Sequence, residues 1–292
     1  MIYDIRHVTT YSYESPVSFA RCSLRLEPKT GDGQQLISHK VDIKPVPAER
    51  TVRTDFFGIK IESIVIDAAH RALRIDARSR VDVARTVPPR DMASPPWEQV
   101  REAAFTSNSL SADFPVGYLF ASPLIPIQPP ITDYAGESFS AGNGIFVSAV
   151  GLMQRIKRDF VYDSRATEIS TPLNEVFGKR RGVCQDFAHI MIAGLRGLGL
   201  PAAYVSGYLR TIPPPGRPRL QGADATHAWV SVWCGRELGW LGFDPTNDLV
   251  IGNDHVVLAT GRDYTDVSPV DGVIVGSRKQ KLAVAVDVIP VE

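Results

Sequence analysis

Three residues of this chain have the types and spacing needed for thiol-dependent acyl chemistry. Cys184 stands in Arg181-Gly182-Val183-Cys184-Gln185-Asp186-Phe187-Ala188, where a polar turn gives way to a strongly apolar helical run. A thiol at a helix N-terminus sits among unpaired backbone N–H groups and at the positive end of the helix dipole. Both favour the thiolate, which is the nucleophilic form. Thiol catalysis also needs a base, and a third group that orients the base. The run Ala225-Thr226-His227-Ala228-Trp229-Val230-Ser231-Val232-Trp233-Cys234 alternates, placing His227, Trp229, Ser231 and Trp233 on one face, and Gly239-Trp240-Leu241-Gly242-Phe243-Asp244 follows almost at once. A hairpin turning at Gly235-Arg236, a Gly-X pair suited to a type II′ turn, sets His227 opposite Asp244. Cross-strand Cβ atoms lie about 4.5–5.5 Å apart, so the carboxylate can bond one imidazole nitrogen while the other addresses the thiol. If Glu237, Leu238 and Gly239 instead belong to a longer loop, the register changes, and a slip of one residue would send the two side chains to opposite faces. Trp229 and Trp233 are the candidates for a dry wall beside the cleft.

Each of these residues also has a packing role to set against the chemistry. A cysteine in an apolar helix is most often a small core residue, and a histidine in a Trp-rich strand is often a core residue bonded to a carbonyl. Asp244, before Pro245 and Thr246, could simply start a turn. A helix-tip cysteine, a strand histidine and an aspartate at matching register are an uncommon coincidence, and together they favour catalysis.

The elements that must hold these residues are legible from periodicity. Residues 1–85 read as all-β. Leu73, Ile75, Ala77, Ser79, Val81 and Val83 alternate with charged residues, as in a sheet with one wet face. Tyr3–Tyr13, Cys22–Leu26, Ser38–Lys44 and Ile59–Asp67 are further strands; in the last the apolar phase slips between Ile61 and Ile64, which predicts a bulge. Together they predict a β-sandwich. Proline-rich residues 86–150 read as a connector with a short helix at Trp97–Phe105, and a helix begins near Gly144–Gly151 and runs to about Phe160. Thr171-Pro172 reads as an N-cap with proline at N1, opening a helix through Lys179. The Cys184 helix stops at Gly199-Leu200-Pro201. At about 100° per residue, Cys184, Phe187, Ala188, Met191, Leu195 and Leu198 share one side, and apolar residues fill most of the rest, so protein wraps the helix. His189 projects about 140° from Cys184, so it is a structural or solvent-edge histidine and not the base. The expected organisation is therefore a β-domain at 1–85, the connector, and a catalytic core at 151–292.

Composition narrows the function classes. The 292 residues are 44% hydrophobic and 22% charged, which fits a globular chain and excludes disorder. The 32 basic residues balance the 32 acidic ones, so no global field favours nucleic acid or an anionic membrane. No apolar run approaches the roughly 20 residues of a membrane span. The first residues read directly into strand-like sequence with no secretory h-region. Cys22, Cys184 and Cys234 are too few and too scattered for a disulfide framework or a zinc cluster. These observations set the expectation of a cytoplasmic protein with no metal, no cofactor, no nucleic-acid partner and no membrane association; oligomeric state is open.

Beyond their chemistry, the motifs resemble a family. Gly182-Val183-Cys184 with Ala188, then Thr226-His227-Ala228-Trp229, then Gly242-Phe243-Asp244-Pro245-Thr246 resemble the three blocks of the transglutaminase-like superfamily in order and spacing. The resemblance implies Cys184 as nucleophile, His227 as base and acid, and Asp244 as the orienting carboxylate. The implied fold is α+β, a papain-like/transglutaminase-like core in which the cysteine helix packs on an antiparallel sheet. His7-Val8-Thr9-Thr10-Tyr11-Ser12-Tyr13, Leu24-Arg25-Leu26-Glu27-Pro28 and Asp55-Phe56-Phe57-Gly58 resemble the N-terminal β-domain of its bacterial members, and Gly207-Tyr208-Leu209 and Gly261-Arg262-Asp263-Tyr264-Thr265-Asp266-Val267 resemble their later part. Unlike animal transglutaminases, the chain has Gln185 after the cysteine and no tryptophan between Trp97 and Cys184, so protein cross-linking is not supported. The Cys184 backbone N–H is the first oxyanion donor, and Tyr162 and Gln185 are candidates for the second. The expected activity is cleavage of an amide or peptide bond through a thioester. The alternatives are transfer to an amine acceptor, and a non-catalytic peptide-binding module. Arg180 and Arg181 could attract an acidic substrate or complement the dipole, and the loop Ile212–Gln221 could border the cleft. His7, His39, His70, His189 and His255 are assigned surface or packing roles.

Overall fold

Alternation of apolar and polar residues builds the first two sheets. The computed structural model describes residues 1–106, 109, 111, 113–211, 222 and 225–291. Strands β1 (Ile2–Val17), β2 (Phe19–Leu24), β3 (Gln34–Lys44), β4 (Glu49–Thr54), β5 (Lys60–Ile66) and β6 (His70–Val83) come first, and β14 (Val270–Val275) and β15 (Gln280–Val291) return to them at the end. They form two antiparallel sheets in the orders β15-β1-β6-β3 and β14-β2-β5-β4. Leu24, Ile43, Ile64, Ile66, Leu73 and Ile75 fill the space between. β6 keeps its predicted inner face, with Leu73, Ile75, Ala77, Ser79, Val81 and Val83 all buried.

The expected bulge in β5 does not form: its pairing with β2 and β4 runs without a register shift. The apolar phase slips because both faces are covered, Ile64 and Ile66 in the sandwich and Ile61 in the core of the other domain. β4 has no sequence signal because every residue of it is exposed. The domain boundaries also need correction at both ends. β14 and β15, assigned to the catalytic core, are sandwich strands. The connector is part of the core: α1 (Trp97–Phe105), a 3₁₀ turn at Pro115–Tyr118, α2 (Pro129–Gly136) and the start of α3 (Ile145–Asp159) share one hydrophobic cluster with the cysteine helix.

That core is built around α5 (Cys184–Gly197), which is buried along most of its length. α2 approaches it closely at Gly194, where a Cβ would stand 2.5 Å from that of Ala135. On the other side α5 packs on β9 (Ala202–Leu209) and β10 (Ala225–Trp233), the middle of the antiparallel sheet β12-β11-β10-β9-β13. The remaining strands are β11 (Trp240–Asp244), β12 (Leu249–Val250) and β13 (His255–Gly261), and a short α6 (Tyr264–Val267) follows. Ahead of α5, β7 (Val161–Tyr162) and β8 (Arg181–Gly182) pair in parallel across α4 (Leu173–Lys179). α4 is capped by Pro172, one residue later than expected. The Thr171 hydroxyl accepts from the Glu168 N–H at 2.9 Å, so it is engaged upstream of the helix. No described helix is long and apolar enough to cross a membrane.

Candidate active site

Cys184 is the first residue of α5 and is half-buried. The turn before it is held by Asp186, whose Oδ2 accepts the Val183 N–H at 2.8 Å and the Thr167 hydroxyl at 2.6 Å. A carboxylate one turn into a helix, bonded back to the N-cap amide, is the reciprocal half of a capping box. It fixes the backbone from which the thiol projects.

His227 lies near the start of β10. The hairpin with β11 is longer than the two-residue turn expected from Gly235-Arg236. Cys234 N–H donates to Gly239 carbonyl, Gly239 N–H donates to Gly235 carbonyl, and both glycines have positive φ, 99° and 63°. The observed pairs are Trp233 with Trp240 and Val230 with Phe243. The register is thus shifted by two from the expected one. An even shift keeps every side chain on its face, so Asp244 lies diagonal to His227 and still reaches it. His227 Nε2 and Asp244 Oδ2 are 2.8 Å apart. With Nε2 committed to the carboxylate, Nδ1 is left for the Cys184 sulfur, which interacts with the ring.

The electrostatics follow from burial and partners. Burial by itself disfavours a charged His227, but hydrogen bonds to the Asp244 carboxylate and the Cys184 sulfur outweigh it and raise the imidazole to about 10. Burial would raise Asp244 in turn, yet hydrogen bonds led by those from His227 and His255 hold its carboxyl well below the usual range. Asp244 has no exposed surface and accepts from five donors. Oδ1 takes the Thr246 and Asn247 N–H groups at 2.9 and 3.2 Å, and Oδ2 faces His227, the Asn247 side-chain amide at 2.8 Å and His255 Nε2 at 3.4 Å.

Sequence reasoning missed Asn247 and His255. Asn247 belongs to an Asx-type turn, for which Asp244-Pro245-Thr246-Asn247 carries a readable signal. His255, given a surface or packing role from sequence, is 2% exposed and turned toward Asp244; it comes from β13, and nothing local to it in sequence points there. His227, Asp244 and His255 place ligand atoms within 4.8 Å of one another, as a divalent cation would need. The Asn247 amide nitrogen lies 3.3 Å from His227 Nε2 and 2.8 Å from Asp244 Oδ2, and Asp244 Oδ2 is already shared by three nitrogens, so hydrogen bonds account for the cluster.

The other sequence candidates are spread more widely. Trp229 is buried behind the site, its ring 6.1 Å from that of His227 and 5.3 Å from that of His255. Trp233 is buried in the main core, so neither tryptophan offers an open cleft surface. Tyr162 is exposed, pairs with Gly182, and is raised by burial and by the charge of Cys184. Gln185 is half-buried at the second position of α5. Arg180 does not face a substrate. Its guanidinium packs 4.0 Å from the ring centre of Phe177 and over Phe160 and Tyr134. Arg181 is exposed and 3.7 Å from Asp163. His189 is buried against Tyr204, and His7 bonds the Tyr208 hydroxyl at 2.9 Å. The loop Ile212–Gln221 lies outside the described residues.

Residues 3–82 match the model of the bacterial transglutaminase-like N-terminal region, and residues 140–245, which include Cys184, His227 and Asp244, match that of the transglutaminase-like superfamily. The chain belongs to the transglutaminase-like superfamily. An uncharacterised protein of Mycobacterium tuberculosis is 40% identical over 99% of this chain and 93% of its own length. A protein-glutamine gamma-glutamyltransferase of Pseudomonas aeruginosa is 36% identical over 99 residues, 32% of this chain and 15% of that one. The crystal structure of a Cytophaga hutchinsonii protein proposed to be a cysteine protease superposes with a TM-score of 0.72 at 21% identity, covering 100% of this chain and 92% of that one. This transglutaminase-like fold thus extends over both the β-sandwich and the core.

Proposed function

We propose that the protein cleaves an amide or peptide bond through a thioester on Cys184. The observation that carries this reading is the placement of His227 between a buried, ionised Asp244 at 2.8 Å and the Cys184 sulfur at the tip of α5. The thiol proton rests on Nδ1 of His227, whose hold on it the Asp244 carboxylate strengthens. The sulfur then attacks the carbonyl carbon, and the π pair moves onto oxygen, beside the backbone N–H groups that the first turn of α5 leaves unpaired. As the oxyanion collapses, the C–N bond breaks and His227 returns the proton to the leaving amine. Water, deprotonated by the same imidazole, attacks the thioester; the C–S bond breaks and the thiol takes back its proton from His227. Asp244 stays ionised throughout and holds the ring in one orientation. Tyr162, exposed and paired with Gly182 two residues ahead of Cys184, is the candidate for the second oxyanion contact.

p-Nitrophenyl acetate tests the reading directly. A burst of p-nitrophenol equal to the enzyme, with acetyl on Cys184 by mass spectrometry, is expected, and Cys184→Ala and His227→Ala should both lose it. Labelling of Cys184 that is indifferent to His227→Ala would instead favour a non-catalytic module. The short match to a gamma-glutamyltransferase supports one alternative, capture of the thioester by an amine. A labelled primary amine added during turnover decides it: incorporation into product would replace hydrolysis with transacylation.

A further inference from the structure

We infer that His255 is a positioning residue of the site, a fixed Nε2–H donor that locks the Asp244 carboxylate in the plane from which it orients His227. The inference rests on the catalytic reading of Cys184, His227 and Asp244. His255 Nε2 is 3.4 Å from Asp244 Oδ2, the oxygen that bonds His227, and both residues are buried. An ionised carboxylate only accepts, so the His255 nitrogen facing it carries the proton. The other ring nitrogen, Nδ1, is buried with no partner. A proton there would be an unpaired donor away from water, so the Nε2–H tautomer is the one the surroundings permit.

The ring is also held in place. Trp229 meets it edge-on at 5.3 Å and lies over His227 at 6.1 Å, so one indole braces both imidazoles. Room for that indole comes from Gly207, opposite His227 on β9, where a Cβ would stand 2.4 Å from Trp229 Cη2. Two histidines therefore converge on one carboxylate oxygen from different strands. His227 is the mobile partner that exchanges protons with sulfur, and His255 is static. Without it, Oδ2 keeps only His227 and Asn247, and Asn247 is itself exposed and free to turn to solvent.

The first test needs no variant. ¹⁵N NMR of the histidine rings in the wild-type protein should show His255 with its proton on Nε2 and a bare Nδ1; a proton on Nδ1 overturns the proposal. The second compares His255→Gln, whose amide can still donate near the Nε2 position, with His255→Leu, which cannot. The readouts are the downfield ¹H signal of His227 Nε2–H and the acetylation rate of Cys184. The leucine variant should exchange that proton at least about tenfold faster and acetylate about tenfold more slowly, with the glutamine variant close to wild type. A folded leucine variant with both unchanged, or equal losses in the two variants, overturns the role of His255. Acetylation of the wild type that ignores His227→Ala overturns the catalytic reading itself, and the His255 proposal falls with it.

Discussion

Asp244→Asn isolates what the buried carboxylate does. The asparagine carbonyl would keep the Thr246 and Asn247 backbone N–H groups, which sit on Oδ1 in the wild type, and its NH₂ group would then face His227, His255 and the Asn247 side chain. Asn247 is exposed and can turn to water. His227 can escape by moving its proton to Nδ1, so that Nε2 accepts from the new amide. His255 has no such option if its Nε2–H stays fixed, so one buried donor is orphaned at about 1–3 kcal/mol. At roughly 2 °C per kcal/mol for a chain of this size, the melting temperature should fall by about 2–6 °C. Catalysis should suffer far more, because Nδ1 then presents a proton to the thiol it must deprotonate. The equivalent change in a serine-protease triad lowers kcat by about 10⁴-fold through the same wrong tautomer, and an acetylation rate lower by about 10³–10⁴-fold is expected here. Calorimetry and the p-nitrophenyl acetate burst measure the two effects. A folded Asp244→Asn protein that acetylates within tenfold of wild type would refute the argument.

Three further outcomes follow from the geometry. Gly207→Ala places a Cβ 2.2 Å from the Val256 carbonyl oxygen and 2.4 Å from the Trp229 ring; a stability loss of about 1–3 kcal/mol and slower acetylation are expected, seen by thermal melt and burst rate. Arg180→Ala removes a guanidinium that caps three aromatic rings beside β8 and should lower stability by about 1–3 kcal/mol in urea unfolding, whereas an effect confined to substrate affinity would contradict the packing role. Stability should fall on both sides of neutrality. His227 is raised from 6.5 to about 10, so its contribution is complete below pH 6.5 and is lost as pH rises toward 10, and Asp244→Asn should flatten that limb. His7 and His189 are lowered by burial to about 4, so the unfolded chain binds more protons between pH 6.5 and 4 and stability declines as pH falls through that window.

The convergence of Cys184, His227 and Asp244 was legible because each sits where a local rule applies: a thiol at a helix start, a histidine in an alternating strand, an aspartate at the end of the next strand. The hairpin register was off by two because Gly235 and Gly239 together make a longer turn than Gly235-Arg236 alone implies, and pairing depends on turn geometry that two residues do not define. Parity survived, and parity is what puts His227 and Asp244 on one face. His255 was out of reach, since its approach depends on β13 joining the sheet next to β9 and no short-range pattern encodes a strand's neighbour. The same limit explains β14 and β15, whose partners lie at the opposite end of the chain, and β5, where two covered faces resemble a bulge. β4, exposed throughout, leaves no hydrophobic trace at all.

β1 pairs with β6 on one side and along twelve residues with β15 on the other, from Ile2 with Val291 to Tyr13 with Gln280. In order of translation, the catalytic core therefore leaves the ribosome before the strand that completes the sandwich exists. Until β15 arrives, β1 is an open edge with unpaired backbone groups, the kind of surface that recruits foreign strands. Completion of this sheet thus waits on β15. A nascent chain stalled after α6 would lack one edge strand in each sandwich sheet and also Val286 and Val288, which pack in the same hydrophobic cluster as the cysteine helix, so chaperone engagement should extend to both regions until β15 arrives.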